Sequence, residues 1–116
     1  MCGVIKIVSV RELNPNDPNI FYVGRRVRKW HGSALGNPYR QGRDGDRRQV
    51  IEKYRQWLWS EIKRKGPAYW ELRRIVEMYK KDNAILLGCW CYPNPCHADV
   101  IKRAAEYLAN LDKERR

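Results

Sequence analysis

No stretch of this sequence is long and apolar enough to cross a bilayer, which excludes a membrane-spanning helix. The first residues lack the basic-then-apolar layout of a secretion signal, so a cytoplasmic, reducing setting is expected. There are no internal repeats and no low-complexity segments, which leaves an ordinary globular domain. Acid is scarce: 13 Asp and Glu stand against 24 Lys and Arg, a net charge of +11. Such an excess favours a polyanionic partner, nucleic acid or a phosphorylated ligand, with general solubility as the plainer reading. What is present suits one domain, since 116 residues at 43% hydrophobic can bury a core without disulfides.

The sequence is organised around residues 88–99, Gly-Cys-Trp-Cys-Tyr-Pro-Asn-Pro-Cys-His-Ala-Asp. The apolar run Ala84-Ile85-Leu86-Leu87 leads in and reads as a buried strand. Pro93 and Pro95 forbid continuing that strand and impose a stiff turn. Val100, Ile101, Ala104, Leu108 and Leu111 then repeat at helical spacing. Three thiols and an imidazole are therefore expected to crowd a strand-to-helix junction. Cys89 and Cys91 alternate by two and share a face if the strand persists that far. Cys96 and His97 fall near the helix start, where N–H groups and the positive dipole end favour a thiolate or a bound anion.

Residues 5–10 alternate at their start and read as a first strand, and the Asn/Pro-rich residues 14–19 as an exposed loop. Residues 20–23, ended by Gly24, read as a second strand. From 24 to 48 no periodicity persists. This basic loop holds Arg25, Arg26, Arg28, Lys29, Arg40, Arg43, Arg47 and Arg48 against Asp44 and Asp46, a local excess of +6. Trp30, His31 and Tyr39 lie among them, pairing phosphate-binding donors with stacking surfaces. The plainer reading is a solvated loop. Residues 47–65 place Val50, Tyr54, Trp57, Leu58 and Ile62 on one helical face, and Gly66 stops that helix. Pro67 opens a second helix that carries Leu72, Ile75, Val76 and Tyr79 and ends near Lys81. Residues 112–116 read as a frayed tail.

The order β-β-α-α-β-α makes residues 1–116 a small single-domain α/β fold, a short central sheet flanked by helices. Consecutive Ile85, Leu86 and Leu87 place the third strand inside the sheet, with cover on both faces. Ligands of such folds gather beyond the carboxyl ends of the strands. The loop after the second strand and the cysteine turn after the third are thus expected to face one pocket.

Two chemistries compete at the cysteine turn. Cys89, Cys91, Cys96 and His97 would suit zinc or an iron–sulfur cluster. The spacing Cys-x-Cys-x4-Cys-His lacks paired Cys-x-x-Cys knuckles, and three ligands with an open position, or with His31, are geometrically easier. Alternatively, Cys89 or Cys96 is a nucleophile, with His97 as base or acid and Asp99 as orienter or helix-cap acid. The plain alternative is small buried thiols and a histidine bonded to backbone.

Two blocks of residues carry a family resemblance. They are Phe21-Tyr22-Val23-Gly24-Arg25 with Ser33-Ala34-Leu35-Gly36-Asn37-Pro38-Tyr39, and Gly88-Cys89-Trp90-Cys91 through Pro95-Cys96-His97-Ala98-Asp99-Val100. In this order they resemble the domain of unknown function 4326 family of bacteria and their phages, a resemblance that names no substrate. The Cys-His block is also similar to the domain of unknown function 488 family, where the position of Cys91 is typically acidic. That likeness implies a site built on Cys89, Cys96 and His97 rather than on four zinc ligands.

The expectation is a small basic domain binding a nucleotide or nucleic acid through Arg25, Arg26, His31, Ser33, Asn37 and Arg40. Cys89, Cys96 and His97 would line a reactive side, as in an enzyme that processes such a ligand. The rivals are a metal-stabilised binding module and a phage or host interaction protein without catalysis.

Overall fold

A computed structural model describes residues 3–12, 20–24, 32–81, 84–90, 94 and 96–114. Three strands form one parallel sheet: β1 (Val4–Ser9), β2 (Ile20–Tyr22) and β3 (Ala84–Cys89), in the order β1-β3-β2. Strand β3 is central. It pairs Ile85 with Ile5, Leu87 with Ile7 and Cys89 with Ser9 on one side, and Leu87 with Phe21 and Gly88 with Tyr22 on the other. With three helices the order is β-β-α-α-β-α, an α/β fold.

Paired residues in a parallel sheet send their side chains to the same face. Ile5, Phe21, Ile85, Leu87 and Cys89 are buried on one face, with Ile7 packed beside them. Helices α2 (Pro67–Lys80) and α3 (His97–Glu114) lie against the sheet, and α1 (Arg47–Arg64) packs on both of them. Each aliphatic side chain buried in this layer contributes about 1.5–3 kcal/mol. The opposite face carries Val4, Lys6, Val8, Ile20, Tyr22 and Leu86, none of which is fully buried. Leu86 is only half-buried although its neighbours Ile85 and Leu87 are sealed.

The helix ends show which local rules won. Asp46 and Gln49 open α1 with a reciprocal capping box: Gln49 N–H donates to Asp46 Oδ1 (2.8 Å) and Asp46 N–H to Gln49 Oε1 (2.9 Å). The helix ends on Lys65 in the left-handed region (φ 55°), not on Gly66. Gly66 is instead the extended N-cap of α2, where an added Cβ would stand 2.7 Å from Glu61 Oε1. Glu61 is the buried charged residue there: it receives the Ala68 N–H (3.4 Å) and pairs with Arg64. Helix α3 begins at His97, three residues before the apolar periodicity does, and runs to Glu114, into the stretch read as a frayed tail. Asp112 explains the extension. It accepts from Arg73 Nη2 (2.9 Å) and Lys80 Nζ (2.9 Å), tying the last turn of α3 to α2.

Those hydrogen bonds, from Arg73 first and then Lys80, lower the Asp112 carboxyl from 3.8 to about 2. A carboxyl lowered by folding stabilises the fold above its unfolded value and loses that contribution as pH falls through its folded value. Asp112→Asn is therefore expected to lower the melting temperature at neutral pH by a few degrees, in line with about 1 kcal/mol for a partly exposed ion network. The gap from the unsubstituted protein should close as pH falls from 3.8 to about 2. Thermal melts of both proteins across that window check it; a gap independent of pH contradicts it.

Candidate functional site

Cys96 is the N-cap of α3, and it caps with sulfur. Its Sγ accepts the Ala98 N–H (3.3 Å), as a serine hydroxyl does at this position. Asp99 completes the exchange, because its Oδ2 accepts the Cys96 N–H (3.1 Å). Of the two roles open to Asp99, the geometry shows the helix cap. Cys96 Sγ also hydrogen-bonds Cys89 Sγ at 3.3 Å, and neither is in a disulfide. Cys89 is 1% exposed and Cys96 3%. The thiols thus lie under the helices, on the closed face of the sheet.

His97 follows directly and reaches across to β2. Its Nε2 lies 2.6 Å from the Val23 carbonyl oxygen, and since a carbonyl only accepts, this nitrogen carries a proton. The Val23 N–H donates to Gly88 O (3.2 Å), so the two backbone polar groups of Val23 are held by β3 and by the start of α3. Tyr54 of α1 packs its ring edge against the imidazole, with centroids 4.9 Å apart, and donates its hydroxyl to Leu35 O (2.7 Å). Burial, and secondarily Cys96, hold the Tyr54 hydroxyl well above the usual phenol range, so it remains a donor.

The loop after β2 is built for close approach. Ser33 N–H donates to Gly24 O (3.1 Å), holding Ser33 against the end of the β2 segment. A Cβ at Gly36 would stand 3.0 Å from Ser33 O and 3.2 Å from Gly24 O. A Cβ at Gly24 would stand 2.5 Å from the Tyr22 hydroxyl. Ser33 Oγ accepts the Leu35 N–H (3.0 Å) and Asn37 Oδ1 the Tyr39 N–H (2.9 Å), so these oxygens shape the loop. Asp44 gathers the next turn, taking the Arg43 Nε–H (2.9 Å) and the Arg40 N–H (2.8 Å); the Arg43 bond first, then Arg40, hold its carboxyl below the usual range. The Arg40 side chain is exposed.

The structure brings together Cys89, Cys96 and His97 at the carboxyl edge of β3, with Asp99 one turn into the helix. Ser33 joins them through Gly24, and Leu35 through Tyr54; Asn37 lies further along the loop, and Arg40 in the exposed turn. Arg25, Arg26, His31 and Cys91 lie outside the described residues. Among the described residues no group of three or more His, Cys, Asp or Glu is arranged to hold a metal ion. One feature of the edge escaped the sequence reading: Trp90 Nε1–H donates to the Tyr22 hydroxyl (2.9 Å), and the Arg11 guanidinium lies 5.9 Å from the indole centroid. In the sequence the clustered aromatics and arginines stand out in the 24–48 loop, whereas these three come together only where the strands end.

The sequence model of the family described as Domain of unknown function (DUF4326) matches residues 8–107, and the chain belongs to that family. A likeness to the domain of unknown function 488 family is not shown. No curated protein and no solved structure matches the chain. The matched span contains both residue blocks, and the His97–Val23 bond joins one block to the other.

If Cys96 acts as the cap, Cys96→Ser should keep the fold, since a hydroxyl is a strong cap, while Cys96→Ala removes the acceptor. The alanine variant is expected to be about 0.5–2 kcal/mol less stable than the serine variant. Urea unfolding of both measures this; equal stability, or serine the weaker, contradicts it.

Proposed function

We propose that this member of the domain of unknown function 4326 family binds a phosphate-bearing ligand, a nucleotide or nucleic acid, at the carboxyl edge of its parallel sheet. The bond between His97 and the Val23 carbonyl carries the reading. It anchors the Cys/His block to the residue just before Gly24-Arg25-Arg26, where the arginine-rich segment begins. The ligand site of an open parallel sheet lies at this edge, and the net charge of +11 supplies the attraction for phosphate. Binding is favoured over thiol catalysis by burial. A nucleophile must reach its substrate, and the Cys89 and Cys96 sulfurs are sealed and engaged with each other and with Ala98 N–H. In this reading the thiols and His97 hold the frame, and Arg25, Arg26, His31 and Arg40 meet the ligand. Ser33 and Asn37 set the loop.

The test is the binding of a labelled single-stranded oligonucleotide, and of ATP, over a range of salt. Affinity for the strand should fall with a log–log slope of about −0.7 per neutralised phosphate. The Arg25→Ala, Arg26→Ala double variant should show a shallower slope. His97→Ala, checked by circular dichroism for a retained fold, should weaken binding about tenfold or more, because the end of β2 loses its anchor. No binding of either probe, or binding that ignores salt, overturns the reading.

A further inference from the structure

Three side chains meet on the open side of the same edge, and none of them belongs to the Cys/His group or the loop. Arg11 lies two residues past the end of β1, Tyr22 is the last residue of β2, and Trp90 is the first past β3. Tyr22 pairs with Gly88, which has no side chain. The Tyr22 ring leans forward over Gly24, which has no room for a Cβ beneath it. Its hydroxyl fixes the indole through Trp90 Nε1–H (2.9 Å), and Arg11 stands 5.9 Å from the ring centroid. Trp90 nevertheless keeps 37% of its surface exposed. On the same sheet face, further along β1, lies exposed Lys6.

A tryptophan held at the surface, with its N–H satisfied and a guanidinium over its ring, has lost freedom that binding would otherwise remove. Such a ring offers a stacking surface that every base fits, and the neighbouring cations meet the phosphates on either side. A base inside a duplex is already stacked on both sides and cannot use the ring without being extruded. We propose that Trp90, positioned by Tyr22 and neighboured by Arg11, is a stacking platform for an unpaired base of a single-stranded nucleic acid. The proposal rests on the phosphate-ligand reading above and narrows it to strands with unpaired bases. Charge complementarity selects the occupant: a surface carrying Arg11 and Lys6 in a chain of net charge +11 suits a polyanion better than a second copy of itself.

The test compares the full chain with Trp90→Ala, Trp90→Phe and Arg11→Gln. Fluorescence anisotropy follows a labelled mixed-sequence DNA single strand and the duplex of the same sequence. The unsubstituted protein should prefer the single strand. Trp90→Ala should weaken single-strand binding about tenfold or more, with little effect on the duplex. Trp90→Phe keeps an aromatic face and should retain most of the affinity, which separates stacking from a damaged fold. Arg11→Gln should weaken binding and flatten the salt dependence. Strand binding unchanged by Trp90→Ala, or duplex bound as tightly as single strand, overturns the platform while leaving the phosphate reading standing. Failure of the unsubstituted protein to bind any strand or nucleotide overturns both.

Discussion

The arrangement of the carboxyl edge depends on the Val23 backbone. Val23 is fully buried, and a buried N–H or C=O without a partner costs about 1–3 kcal/mol. Strand β2 has only three residues, so its ladder to β3 is short. Beyond the ladder, Gly88 O takes the Val23 N–H and His97 Nε2 donates to the Val23 carbonyl. Both partners belong to the block after Leu87. The first block therefore cannot settle at this edge unless the second is in place. A parallel sheet makes this dependence necessary, because its neighbouring strands come from distant segments and no hairpin fixes their register.

Much of the frame was legible in the sequence, for reasons that differ by element. Ile85 and Leu87 gave away β3 because a central strand shows as a continuous apolar run. Leu72, Ile75 and Val76 gave away α2 because its buried face repeats at helical spacing. The junction of Cys89, Cys96 and His97 was legible because two prolines end one element just before another begins. Leu86 marks the limit of such reasoning. Its hydrophobicity resembles that of its neighbours, yet it points to the sheet face away from α2 and α3, and composition alone carries no sign of which face the helices cover.

What stayed hidden was set by contacts between distant residues. Gly66 has the composition of a helix stop, but the left-handed turn falls on Lys65, and the glycine instead leaves room for the Glu61 carboxylate, which a Cβ at 66 would crowd. Asp112 has the composition of a frayed end, but two cations of α2 anchor it. Asn37 and Ser33 read as ligand contacts because their chemistry suits one, while their oxygens bend the chain. Arg11, Tyr22 and Trp90 are 68 residues apart between the last two, and no local pattern links them; the order of the strands does.

That strand order also divides the labour at the edge. Successive residues of a strand face opposite ways, so Cys89 and Trp90, adjacent in sequence, serve opposite sides of one sheet. Cys89 turns under the helices, where its sulfur meets the sulfur that caps α3. Trp90 turns to the side away from α2 and α3, where Tyr22 and Arg11, beyond the ends of the other two strands, bring it a hydroxyl and a guanidinium. The Cys-Trp step thereby couples a rigid interior to an exposed ring. A shift of β3 by one residue would exchange the two, exposing the thiol and burying the indole. The register with Ser9 and Tyr22 prevents this, which is why the surface chemistry of the edge rests on the packing beneath it.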